Sequence, residues 1–188
     1  MKAWLVLAVL VTAVGCQRSE ALPPVEQVSF VGLAKCAGCH PKEAKAYRGS
    51  DHARAMQPAN QQTVLGDFAN ARFSHRGVTS TFFRRDGKFY VRTDSPNGKL
   101  GDFEIVYTFG VTPLQQYLVP FPDGRVQALA IAWDTRPKAQ GGQRWFHLYP
   151  KETLRPSDPL HWTGREQTWN YQCAECHSTD LRKRYDAA

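Results

Sequence analysis

Cys36-Ala37-Gly38-Cys39-His40 and Cys173-Ala174-Glu175-Cys176-His177 share one pattern: two thiols three residues apart, then an imidazole directly after the second. On a turn of helix, residues at that spacing fall on the same side. Two such thiols can reach two vinyl groups of one flat ring, and the next histidine then lies beneath it. A C-x-x-C-H run is therefore read as covalent haem attachment. It makes His40 and His177 the proximal ligands of two irons, with Cys36, Cys39, Cys173 and Cys176 as the thioether anchors. Four cysteines in two pairs also suit zinc. The gap between these pairs far exceeds that of a zinc ribbon, and zinc gives the two histidines no task. Disulfides in an exported chain leave the same two histidines unexplained. A thioredoxin-like redox motif needs a βαβ setting that is missing here.

The sixth ligands are narrowed by elimination. Of two methionines, Met1 falls in the leader, so Met56 remains and at most one iron can be His/Met. His52, His75, His147 and His161 are the other histidines. At least one iron is then bis-histidine or five-coordinate, and without a methionine its potential sits lower. His52, among small residues in Ser50-Asp51-His52-Ala53-Arg54-Ala55-Met56, is the first distal candidate. His161, beside Trp162, is the second, and His147, on a strand face with Trp145 and Tyr149, is a weaker third. Each has a plain alternative as a solvent-facing or structural histidine. His75 reads as a surface residue. Met56, four residues after His52, is expected to pack on a ring rather than ligate. Tyr47, Arg48, Tyr171 and Arg182 can hold propionates, and surface solvation accounts for them equally well. Trp133, Trp145, Trp162 and Trp169 read as core or haem packing. No hydrolytic triad or phosphate-binding loop is present.

The elements that position these residues follow from pattern. Lys42 to Tyr47 are mostly good helix formers, and Ser50 or Asp51 can cap a second short helix through Met56. From Val78 the pattern turns to strands. Asp86-Gly87 and Asp123-Gly124 mark hairpins, and Pro96-Asn97-Gly98 marks another turn. Phe103, Ile105, Tyr107 and Phe109 alternate with Glu104, Val106 and Thr108, which predicts one apolar strand face. Gln167 to Cys176 returns to helix. The expected class is α+β: helical C-x-x-C-H segments at both ends around an antiparallel sheet, with the β-rich insert at about 75–149.

The first fifteen residues read as an export leader, with Lys2 followed by a short apolar run from Ala3 to Val14. Ala13-Val14-Gly15-Cys16 resembles a lipoprotein processing site, although Ala13 stands where leucine is usual. Cys16 is thus a lipidation candidate; an ordinary secretory leader with a free Cys16 is the alternative. Several acyl chains on one cysteine hold a protein stably at a membrane. Residues 16–28 then form a tether and 29–188 a dihaem domain. The formal charge of +7 comes from scattered Lys and Arg. No binding motif accompanies them, so nucleic acid is not an expected partner.

Several phrases carry a resemblance. Phe30-Val31-Gly32, Cys36–His40 and Tyr47-Arg48-Gly49-Ser50-Asp51-His52-Ala53-Arg54-Ala55-Met56 resemble the start of multihaem cytochromes of the tetrahaem nitrifier type, in particular long members that continue into tetratricopeptide repeats. Tyr107–Val111, Pro113–Tyr117, Ala132-Trp133-Asp134, Gly142–Pro150 and Asn170–Cys173 extend the likeness over nearly all of the mature chain. The resemblance implies close-packed haems and ligands exchanged between distant segments. Such proteins usually go on to further C-x-x-C-H motifs, whereas this chain stops eleven residues after His177. It is expected to be a short member or the N-terminal dihaem part of a larger one.

The functional expectation is an exported dihaem c-type cytochrome, a periplasmic or outer-membrane lipoprotein facing the periplasm. It would pass single electrons between exported redox proteins and carry two covalent haems c. One alternative is a haem enzyme that reduces a small nitrogen oxide or peroxide. Another is a docking subunit for further multihaem proteins.

Overall fold

Asp86 and Gly87, at φ +51 and +76, form the two-residue loop between Arg85 and Lys88. Two positive φ values are what a tight hairpin turn requires. The hairpin joins β3 (Val78–Arg85) to β4 (Lys88–Asp94). With β2 (Ala71–His75) and β5 (Leu100–Ile105) these strands make a four-stranded antiparallel sheet in the order β2-β3-β4-β5. The computed structural model describes residues 29–181. The leader, Cys16, the tether and Arg182 lie outside the described residues.

A second, six-stranded sheet runs β1-β6-β7-β9-β10, with β8 also paired to β7. Its strands are β1 (Met56–Pro58), β6 (Tyr107–Phe109), β7 (Leu114–Pro120), β8 (Val126–Ala128), β9 (Ile131–Asp134) and β10 (Arg144–His147). Asp123-Gly124 closes the β7–β8 hairpin, as the sequence predicts. Leu118 faces Ala128 while Gln115 faces Trp133, so the two residues of β7 between these pairs are matched by four of its partner. The surplus bulges at Leu129-Ala130.

Two expectations are corrected here. Residues 103–109 do not form one strand: the chain leaves the first sheet after Ile105 and joins the second at Tyr107. Val106 marks the switch, donating to Leu118 O at 3.1 Å and accepting from Ala59 N–H at 2.8 Å. Phe103 and Ile105 therefore serve one core while Tyr107 and Phe109 serve another. The expected helix through Met56 is also absent. Residues 51–54 form a turn, and Met56 is drawn into β1 by pairing with Phe109.

The larger core lies between the sheets and is centred on Phe68. Phe82, Phe89, Tyr117 and Trp145 stand edge-on to it, with centroids 5.7, 5.0, 5.2 and 5.5 Å away. Edge-to-face packing suits the opposed charge of ring faces and rims. Burying a ring of this size adds roughly 1.5–3 kcal/mol. The fold is mostly antiparallel sheet with few helices: α1 (Leu33–Ala37), α2 (Pro41–Arg48), α3 (Trp169–Gln172) and α4 (Ala174–His177). Among the described residues no helix is long and apolar enough to cross a membrane.

Candidate functional site

The two Cys-x-x-Cys-His segments fold alike. In the first, the N–H groups of Cys39 and His40 both donate to Cys36 O, at 3.2 and 2.8 Å. In the second, Cys176 and His177 donate to Cys173 O at 3.2 and 3.0 Å. Each segment is thus a single helical turn, and α4 ends on His177. All four thiols are free. Among the described residues no three His, Cys, Asp or Glu side chains converge as they would around a tetrahedral ion.

Their surroundings differ. Cys36, Cys39 and His40 are all exposed, and α2 after them buries just one side chain, Ala44. The second motif is seated on the six-stranded sheet. Trp169 and Ala174, 8% and 0% exposed, pack with Leu118 and Ala128, and half-buried Cys173 joins them. Burial pushes the Cys173 thiol pKa up, and the neighbouring Cys176 adds to it.

Polar side chains fix that seat. Asn170 accepts from Val126 N–H at 2.7 Å and donates to Gly124 O at 3.1 Å. Thr168 donates its hydroxyl to Gln127 Oε1 at 2.6 Å. The Gln127 amide donates to Trp162 O and Gly164 O, at 3.1 and 2.8 Å. Thr168 and Gln127 are fully buried. Each is satisfied by the other, which a buried polar group needs.

Phe109 links the segments. Its ring stands edge-on to the His177 imidazole, 5.0 Å away at 84°, and edge-on to Trp169 at 6.3 Å. Across the β1–β6 ladder Phe109 faces Met56, which packs in the same cluster as Cys173. Gly110 N–H donates to Ala55 O at 2.7 Å. At φ +89, with Leu114 O 2.8 Å from any added Cβ, position 110 requires glycine. The chain just after His52 is therefore pinned beside the second motif. His52 itself is exposed. Its turn is held by Ser50, whose hydroxyl accepts from Ala53 N–H at 3.2 Å and donates to Tyr47 O at 2.7 Å.

The other histidines gather elsewhere. His161 is 3% exposed, with Nε2 2.8 Å from Asp94 Oδ2 and Nδ1 2.8 Å from Thr163 Oγ1. Both ring nitrogens have partners. Burial raises the Asp94 pKa, but the His161 hydrogen bond and charge outweigh it and lower the pKa overall. His147 stacks on His75 with centroids 4.1 Å apart, and its Nδ1 accepts from Tyr149 N–H at 3.0 Å. Burial, with His75 beside it, pushes the His147 pKa down to about 4. His75 is thus not the plain surface residue its sequence suggests: its Nε2 is buried and lacks a protein partner. All three line a cavity between the sheets, with Asp94, Ser80 and Trp162.

Residues 35–75 match the family model for cytochrome c554 and c-prime. The matched stretch holds the first motif, α2, the His52 turn, β1 and β2, and it supports a relation to cytochromes c. No curated protein and no solved structure matches the chain.

Proposed function

We propose that the protein is an exported, membrane-anchored dihaem c-type cytochrome that passes single electrons between exported redox proteins. The carrying observation is that both motifs adopt the same turn, with free thiols and a following histidine, while the second is built into a sheet wall. The donor set fits the group: two soft thiols to bind it and one imidazole for iron at each motif. Haem supplies a one-electron couple at each site.

The chain's part is to hold and shield. Cys36 and Cys39 anchor one group and His40 ligates it; Cys173, Cys176 and His177 do so for the other. Around the second motif Met56, Phe109 and Trp169 exclude water, and Phe109 fixes the tilt of the His177 ring. His52 is assigned as the distal ligand at the second motif, because Ala55 and Met56 tie its turn to that wall. His161, with both nitrogens engaged, is assigned a structural role. Lipidation of Cys16 and a position facing the periplasm complete the reading, with exported redox proteins as partners.

The test is a haem count on protein matured in a host that attaches haem c, by pyridine haemochrome and intact mass. Two covalent haems per chain are expected, with a low-spin signal that His52→Ala diminishes. Fewer than two, or a spectrum unchanged by His52→Ala, would overturn the corresponding part.

A further inference from the structure

Lys42, Lys45 and Arg48 recur every three residues along α2, so they lie along one side of the helix. All three are exposed, and among the described residues none has a carboxylate partner. Lys35 in α1 is exposed as well. Residues 33–54 hold five cations against two acids, Glu43 and Asp51, and Asp51 is taken up by Arg54 at 2.8 Å. Val31 and Tyr47, 60% and 50% exposed, add apolar surface to the same segment. Exposed apolar side chains among mostly positive charge have the make-up of a transient docking site. The second motif also exposes Cys176 and His177, but residues 169–181 hold two acids, Glu175 and Asp180, and no lysine or arginine.

We infer that the α2 face of the first motif is the docking surface for an acidic electron-transfer protein, so that electrons enter or leave the chain at the first motif. This rests on the dihaem reading above. A membrane surface of anionic lipid would attract the same cations. The apolar residues beside an exposed Cys-x-x-Cys-His turn favour a redox protein, because contact there brings a partner's centre close to the motif. Unpaired surface charge raises encounter rates by roughly 10–10³-fold at low salt and loses that effect beyond the Debye length.

The experiment uses the haem-loaded protein and measures second-order reduction rates by stopped flow. The donors are reduced flavodoxin, which is acidic, and hexaammineruthenium(II), which is cationic. The flavodoxin rate should fall steeply with salt. At low salt Lys42→Glu/Lys45→Glu/Arg48→Glu should lower it about tenfold or more, and the Gln triple by less. Lys99→Glu/Lys138→Glu/Lys151→Glu, an equal charge change on exposed sites elsewhere, should leave it within about twofold. The ruthenium rate should not fall. Equal losses from both Glu triples would show that net charge acts without a docking face, which overturns the inference. So would flavodoxin rates blind to the α2 triple while that triple abolishes binding to phosphatidylglycerol vesicles, since the face would then read a membrane. Haem content is measured first on each protein. A chain that takes up no haem fails the underlying reading, whereas a loaded chain with no charge dependence fails the docking inference alone.

Discussion

Replacing Gln127 with Leu tests how the second motif is held. The side chain is fully buried and serves three groups: two carbonyls, of Trp162 and Gly164, and the Thr168 hydroxyl. Leucine nearly matches its volume, so the cavity term is small. A buried polar group stripped of its partner costs about 1–3 kcal/mol. The three are not independent, and the hydroxyl can turn to another acceptor, so a total loss of about 3–5 kcal/mol is expected. That is a large fraction of the roughly 5–15 kcal/mol that holds an ordinary domain. Urea unfolding followed by far-UV circular dichroism reads it directly. Thr168→Val should cost about 1–2 kcal/mol alone and much less in the Gln127→Leu background, because it then breaks a bond already gone. A Gln127→Leu loss below about 1 kcal/mol, or strict additivity with Thr168→Val, would refute the reasoning.

His161→Leu should lower stability by about 2–4 kcal/mol through the unpaired Asp94 carboxylate, yet leave the haem spectrum unchanged; loss of a low-spin band would make His161 a ligand instead. His147 titrates near 4 when folded, against 6.5 unfolded, so the unfolded chain binds the proton more readily between those values. Its contribution is complete above about pH 6.5 and is lost as pH falls towards 4, by about 1–2 kcal/mol after allowing for partial exposure. His147→Gln should flatten that slope in urea midpoints measured from pH 4 to 7. Phe109→Ala should cost about 2–4 kcal/mol and shift the potential of one haem, read by redox titration, because it opens one side of the second motif to water. Potentials that stay put would detach Phe109 from the site.

Local backbone structure was legible where it depends on neighbours in sequence. Asp86-Gly87 and Asp123-Gly124 announce their hairpins because the positive φ is a property of those residues alone. The Cys-x-x-Cys-His turns are equally self-contained. What escaped depends on partners far along the chain. The alternation from Phe103 to Phe109 is continuous in sequence but divided in space, since period alone does not say which sheet a residue joins. Residues 52–56 have good helix formers, yet pairing with β6 overrides propensity. His75 looks like a surface residue until His147, a long way along the chain, stacks on it. Gln127 and Thr168 read as ordinary polar residues, and nothing near them in sequence names their buried partners.

The half-buried Cys173 bears on how the protein is assembled. Its sulfur sits in the wall formed by Trp169, Leu118 and Ala128, whereas Cys36 and Cys39 stand in water. A thiol must swing clear of that wall before a bulky reagent can bond to it. Loading at the first motif should therefore be as fast on a finished fold as on a nascent chain. Loading at the second should be gated by the opening of α3, slowed by whatever tightens the Gln127–Thr168 clasp and hastened by whatever loosens it. The same contacts that seal the mature site thus set the time window in which it can be built.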